Sequence, residues 1–468
     1  MAEVDFTGLL LALTILVVAP LGIVVGRYLT GRSEFGSFQY FPYALLLSVS
    51  VLFLFSGRNL SFGTGLEVES LAARWTTRLA SLFFVGASVW TIARGDSWRE
   101  GPGRPPYGLL VAFAAFWLTV VASPALLGAD GSLSHDSFYP LLMGCAALLL
   151  TKRESDGVVV AARNGLLIFM ALSVLVIPLN WDLVMDSSYS AGVLPGVPRF
   201  AGLAPHPVSM AALAQLGMLC LIARPISPRW LNRLGWALAL GTLLLAQSKS
   251  SWVSFPVCAT YMFWMRGDPA TRRNTGLTTV FFVVVGLGAT LLLTNLGSAP
   301  DPGAGRRELV ELTTLTGRSR IWEVALGEWA RHPVFGAGSN LFDAAYRSDI
   351  GMPYATDAHN QLIDVLARGG LVSAAGLTLY FIVLLVLSVK YAGATRGLSF
   401  AIFLAIALQS IVEVPLHIVG YGPNVLQHFL LLGIIAGQAK TTATSRTAKE
   451  EGSWGVRTAS ASVGARAS

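Results

Sequence analysis

Charge is what this sequence has least of. Of its 468 residues, 13% are Asp, Glu, Lys or Arg, against about 25% in an ordinary soluble domain. With 54% hydrophobic residues, that shortage excludes a water-soluble globular protein. Uninterrupted apolar runs of about 20 residues recur, long enough to cross a bilayer as helices. Cysteine is also scarce: Cys145, Cys220 and Cys258 all lie inside apolar segments. They argue against a disulfide framework or a thiolate metal site and read as small buried hydrophobes. Met1 to Phe6 contains two acids and no base. The basic leader of a signal peptide is missing there, so the first span is expected to be retained. The net charge of +7 is no nucleic-acid footprint, because the bases are dispersed through short loops.

The apolar runs fall at 7–26, 38–56, 74–93, 108–127, 137–150, 164–180, 207–223, 234–248, 251–265, 277–296, 371–389, 398–416 and 424–438. The fold class predicted is an all-α polytopic integral membrane protein with about 12–13 transmembrane helices, the short segments being open to merging or tilting. Arg27 and Arg32, then Arg94, Arg99 and Arg104, then Lys152, Arg153 and Arg163 occupy alternate loops. So do Arg224, Arg229 and Arg233, then Arg266, Arg272 and Arg273, then Lys390 and Arg396. The intervening loops 128–136 and 417–423 have no Lys or Arg, and 181–206 has only Arg199. The positive-inside rule puts the basic set in the cytoplasm. Arg58, in an expected outer loop, fits that rule poorly.

Four regions follow. Residues 1–296 are N-terminal transmembrane helices, 297–370 an extracytoplasmic loop, 371–438 C-terminal transmembrane helices, and 439–468 a basic cytoplasmic tail of disordered composition. Charge returns in the long loop: 16 of the 73 residues from 297 to 369 are Asp, Glu, Lys or Arg. Polar groups gathered in one break between apolar spans call for water, a ligand or a reaction. Within the loop, Arg318–Arg331 has the periodicity of an amphipathic helix, with Ile321, Trp322, Ala325, Leu326 and Trp329 on one face. Its two tryptophans suit a membrane interface. A second short helix is expected from near Ala358 to Gly369-Gly370.

The candidate residues sit on one expected face of the membrane. Arg318 and Arg320 begin the amphipathic helix, where guanidinium donors and free N–H groups suit an anion. Lys249 occupies a tight hairpin between apolar helices, where a cation needs solvent or an anionic partner. His359, at the start of the second helix, has the side chain best able to move a proton near neutral pH. Asn360 follows it. Arg199 and His206 lead into a span through Pro205 and Pro207. Glu413 and His417, four residues apart, are expected to share a helix face. Glu67 and Glu69 are a carboxylate pair in the first outer loop, a thin basis for a metal.

Order and spacing give these pieces a family likeness. Arg199…His206-Pro207 enters a span. Gln247-Ser248-Lys249-Ser250-Ser251-Trp252 forms a hairpin, followed by Thr316-Gly317-Arg318-Ser319-Arg320-Ile321-Trp322. His332-Pro333-Val334-Phe335-Gly336-Ala337-Gly338 and Ala358-His359-Asn360 complete the set. Together they resemble the O-antigen ligase and polymerase superfamily, membrane glycosyltransferases of the GT-C type. The resemblance implies transfer of a glycan from a polyprenyl-diphosphate lipid to an acceptor hydroxyl, at the outer face of a bacterial cytoplasmic membrane, with no metal or other cofactor. It implies that Lys249 and Arg318 bind the donor diphosphate, with Arg320 and Arg199 sharing the load. His359 would act at the acceptor hydroxyl, with His206, Asn360 and Glu413 in support. Lys249 stands where the family usually has arginine, which keeps the charge and loses the bidentate fork. Partners would be the lipid-linked glycan, a glycan, lipid or protein acceptor, and the bilayer. The sequence leaves open a polymerase, a protein O-glycosyltransferase, a metal-dependent enzyme using Glu67 or Glu69, and a transporter or flippase of lipid-linked substrate.

Overall fold

The computed structural model describes residues 37–56, 58–60, 71–93, 107–187, 194, 196–267, 318–352, 355–420 and 422–440. The expected spans at 7–26 and 277–296, Glu67, Glu69, the long loop up to Gly317 and the tail beyond Lys440 lie outside the described residues. The described chain is helical: α1 Phe41–Leu54, α2 Leu71–Ala93, α3 Tyr107–Leu127, α4 Phe138–Leu148 and α5 Lys152–Val176. A two-residue antiparallel ribbon follows, β1 Met185–Asp186 with β2 Arg199–Phe200, a small departure from the all-α expectation. Then come α6 Pro207–Ala223, α7 Arg229–Ala246, α8 Lys249–Arg266, α9 Arg318–Arg331 and α10 Ala344–Asp349. The last are α11 Gln361–Lys390, α12 Leu398–Gln409 and α13 over 424–440.

Among the described residues α2, α3, α5 and α11 are long and apolar enough to cross a membrane, and α1, α6 and α12 are shorter apolar helices. The expected segment 137–150 is only the 11-residue α4. The hairpin 234–265 resolves into α7 and α8, separated by Gln247 and Ser248 alone.

Among the described residues, Lys152, Arg163, Arg224 and Arg266 of the set assigned to the cytoplasm gather at one end of the bundle. Lys152 and Arg224 both reach Asp156, at 2.9 and 2.6 Å. Arg163 donates to the carbonyls of Arg224 and Pro225, and Arg266 to that of Ile222. Lys440 caps Leu149 and Leu150. Arg58, the exception to the charge rule, is buried at the other end. Its guanidinium donates to the carbonyls of Leu183, Gly202, Ala204 and Pro205 and lies 4.4 Å over the Phe53 ring. A cation consumed by backbone carbonyls contributes to the fold, and so it says little about orientation.

The loop before α11 is a packed unit with its own core: Ile321 and Ala325 of α9 against Leu341, Phe342, Met352, Ala355, Ala358 and Ala367. Leu326, expected on the apolar face of α9, is exposed, because the buried stripe is narrower and runs through Ile321, Val324 and Ala325. The indoles of Trp322 and Trp329 donate to the carbonyls of Ala358 and Pro333.

The break expected at Gly369-Gly370 is present and explains the His-Pro-Val-Phe-Gly-Ala-Gly segment. Gly370 (φ 62°, ψ −159°) interrupts α11 in a conformation open essentially to glycine alone. An interrupted helix strands carbonyls before the break and N–H groups after it. The N–H groups of Ala337 and Gly338 serve the carbonyls of Ala367 and Arg368, at 2.8 and 2.9 Å. The N–H groups of Leu371 and Val372 donate to Pro333 and Val334, at 2.9 and 3.2 Å. The segment is thus a clamp across a broken helix. A Cβ on Gly370 would stand 2.4 Å from the Val334 backbone. Gly370→Ala is therefore expected to destabilise by about 1–3 kcal/mol of strain alone, with the clash in addition. An unchanged melting temperature of the purified protein would refute the clamp.

Candidate functional site

His359 is built into place from both sides of its backbone. Trp322 donates to the carbonyl of Ala358 at 2.8 Å, and the N–H of Ala358 donates to Asp364 Oδ1 at 3.1 Å. On the other side Asn360 caps α11, its Oδ1 accepting from the N–H groups of Leu362 and Ile363, both at 3.1 Å. His359 therefore precedes α11 rather than opening it, in the left-handed region at φ 46°. Such a conformation is uncommon for a side-chain-bearing residue and persists where its surroundings impose it.

The same cap positions Glu413. Asn360 Nδ2 donates to the carbonyl of Ile411 at 3.0 Å, the Gln361 N–H to that of Ser410 at 3.0 Å, and the Leu416 N–H to Gln361 Oε1 at 2.8 Å. The expected helix face shared by Glu413 and His417 does not exist. Helix α12 ends at Gln409, and Pro415 disfavours helix at the residue before it. In the resulting loop the two side chains take different partners.

Glu413 lies between Arg318 and His359. Arg318 Nη2 donates to Glu413 Oε1 at 2.9 Å, and His359 Nδ1 stands 3.3 Å from Oε2. Asp357 Oδ1 is 3.4 Å from the same Nδ1 and accepts the His359 backbone N–H at 2.7 Å. Two carboxylates at Nδ1 place the proton there and leave Nε2 as the basic nitrogen. Burial disfavours the imidazolium, but the Glu413 hydrogen bond and the Asp357 and Glu413 charges outweigh it and hold the His359 pKa above its ordinary value. Burial likewise opposes ionisation of Glu413. The His359 hydrogen bond, with the charges of His359, Arg318 and His206, prevails and lowers its pKa. Asp357 moves the other way, raised by burial and, against the pull of His359, by the charges of Asp364 and Glu413. Glu413 is the carboxylate that carries the charge.

His206 caps α6 through Nδ1, which accepts the Val208 N–H at 3.3 Å. Desolvation by the surrounding protein and the Arg199 charge take its pKa down to about 4, against smaller opposite effects of Glu413 and Asp186. His206 is thus neutral near pH 7, with Nε2–H free to donate to a ligand. The charges that bear on it include His359 as well, which brings Arg199, His206, Glu413 and His359 into one neighbourhood. Arg199 is buried opposite Asp186 in the ribbon, and its Nε reaches the carbonyl of Ala246 at 3.4 Å. That carbonyl ends α7, three residues before the half-buried Lys249. Gln247, at φ 52°, pins the hairpin: it accepts from the Leu194 N–H and donates to the carbonyl of Val197, both at 2.8 Å.

The structure thus joins Arg318, Glu413 and His359 directly, sets His206 and Arg199 within electrostatic reach of them, brings Lys249 near Arg199 through the hairpin, and uses Asn360 as the bracket. Arg320 is exposed on α9, outside the Glu413 cluster. Asp357, Trp322 and Asp364 escaped the sequence reading. Asp357 had a signal, an aspartate two residues before a histidine, the spacing of an Asx turn. Trp322 was assigned to the membrane interface on its periodicity alone.

No curated protein sequence matches the chain. Residues 234–378 match the family described as Wzy_C, O-Antigen ligase, a stretch that includes Lys249, Arg318, His359 and Asn360 and ends before Glu413. That stretch carries Lys249, Arg318, His359 and the helix break at Gly370, and over it the chain is similar to the O-antigen ligase family.

Proposed function

We propose that the protein transfers a glycan from a polyprenyl-diphosphate carrier to an acceptor hydroxyl at the outer face of a bacterial cytoplasmic membrane. The observation that carries this reading is Glu413 shared between a guanidinium and an imidazole: one carboxylate links a phosphate-binding group to a base.

The chemistry follows from that arrangement. His359 Nε2 takes the proton of the acceptor hydroxyl as its oxygen attacks the anomeric carbon. The bond from that carbon to the diphosphate oxygen breaks, and the lipid diphosphate leaves with the electron pair. Negative charge grows on the leaving group, and Arg318, Lys249 and Arg199 are the cations to stabilise it. His206, uncharged, donates a hydrogen bond without adding charge. Glu413 stabilises the imidazolium as it forms. A single displacement inverts the sugar carbon, and no step draws on a metal.

Purified protein incubated with a polyprenyl-diphosphate glycan and candidate acceptors, with mass analysis of product, tests this. Arg318→Ala is expected to lower transfer about 10²–10³-fold, the usual effect of losing one donor to a developing anion. Transfer at the wild-type rate would remove Arg318 from the site. Product formation abolished by EDTA and restored by Mg²⁺ would overturn the metal-free mechanism.

A further inference from the structure

Two adjoining cavities, of about 200 and 180 Å³, share His417 and Val419. The smaller is also lined by Asp357, whose carboxylate touches the His359 ring. The larger runs from Ser134, in the exposed loop before α4, to Arg368 of α11. Among the described residues, none of Arg199, Lys249 and Arg318 lines either one.

Their polar groups are arranged around one buried carboxylate. Asp364 is held by Arg368 Nε at 3.1 Å and by His417 Nδ1 at 3.7 Å. Arg368 donates also to the carbonyls of Ser339 and Thr356. His417 keeps Nε2 for the cavities. Gln361 is 97% buried, with 3% relative exposure; its Oε1 accepts from Leu416 and its Nε2 has no partner among the described residues. Gln361 lines the larger cavity, and an amide donor with no protein partner there is open to a ligand's acceptor. Val121, Pro124 and Val365 give the larger cavity an apolar wall.

We propose that these joined cavities bind the sugar ring of a glycan acceptor; the inference rests on the transfer reaction proposed above. The two substrates differ in charge. A diphosphate belongs with Arg199, Lys249 and Arg318, whereas a neutral polyol gains nothing from bare cations. It needs mixed donors and acceptors for its hydroxyls and an apolar surface for its C–H face, and both are present. The larger cavity holds the volume of about six waters, the scale of one sugar ring. The smaller cavity reaches Asp357, whose carboxylate adjoins the His359 ring, so a sugar held there has its hydroxyls beside the base. His417 Nε2 and Gln361 Nε2 select the acceptor by hydrogen bonds, the kind of contact that discriminates most sharply between hydroxylated and deoxy ligands. Both are positioning residues.

The test uses the full-length protein in nanodiscs, with methyl hexopyranosides as probes and saturation-transfer NMR as the readout. The wild type is expected to show saturation transfer at millimolar sugar. Val419→Trp, an exposed position at the junction of the cavities, is expected to abolish it. His417→Gln is expected to raise the acceptor KM about tenfold, or about 1.4 kcal/mol, with no comparable rise in donor KM. Absence of sugar binding in the wild type, binding unaffected by Val419→Trp, or displacement of the sugar by a Ser/Thr peptide would overturn the subsite. Failure of the wild type to consume lipid-diphosphate glycan would instead overturn the transfer reaction, a separate result because sugar binding is read without turnover.

Discussion

His359→Ala is expected to lower glycan transfer by about 10²–10⁴-fold, the range for loss of a positioned general base. The donor should still bind, because Arg199, Lys249 and Arg318 are untouched. Alanine fits this position badly, however, since the backbone is left-handed at φ 46°. His359→Asn is the sharper variant: asparagine tolerates that conformation and lacks a basic nitrogen. The expected result is an asparagine variant that is folded, inserted and able to bind lipid-linked donor, with transfer reduced as far as in the alanine variant. Product from His359→Asn at the wild-type rate would show that proton transfer does not pass through this imidazole. Loss of activity together with loss of membrane insertion would reassign His359 to the fold.

How far the sequence reveals this site depends on the range of each interaction. The span α3, the shorter apolar helix α6 and the apolar part of α11 are legible because apolar runs are local, whereas α5 opens at Lys152 and takes in the bases expected in a loop before 164–180. The break at Gly370 is legible because two adjacent glycines punctuate a helix. The identities of Arg318, His359 and Glu413 are legible as polar residues in apolar company. Their junction is not, because Glu413 lies 95 residues from Arg318 and 54 from His359, and no periodicity relates them. One local rule also misled. Spacing of four suggested a shared helix face for Glu413 and His417, where Pro415 ends that possibility. The helical spacing of Trp322 gave no sign that its indole holds the carbonyl of Ala358. Arg58 shows the same limit from the charge side: the positive-inside rule counts bases, and a base buried among carbonyls is invisible to it.

Glu413→Gln should cost nearly as much as loss of His359, through geometry and charge rather than through contact with substrate. Replacing the carboxylate behind a base histidine by an amide lowers turnover about 10⁴-fold in the best-studied triad. The pH profile separates this role from a structural one. His359 must be neutral to accept a proton, so kcat/KM falls as pH drops through its pKa in the free enzyme. The carboxylates hold that pKa above the ordinary 6.5 of histidine, and the acid limb of the wild type should lie above that value. Glu413→Gln removes the hydrogen-bonded charge and leaves burial and Arg318, both of which lower the pKa, opposed only by Asp357. The acid limb of the variant should therefore move to lower pH while the plateau falls. A structural residue would lower the plateau and leave the limb in place. Arg318 adds a second consequence under the proposed mechanism, where a donor diphosphate would compete with Glu413 for its guanidinium. With Arg318 on the diphosphate the carboxylate would turn wholly to His359, and the base would be strongest when the leaving group is already bound.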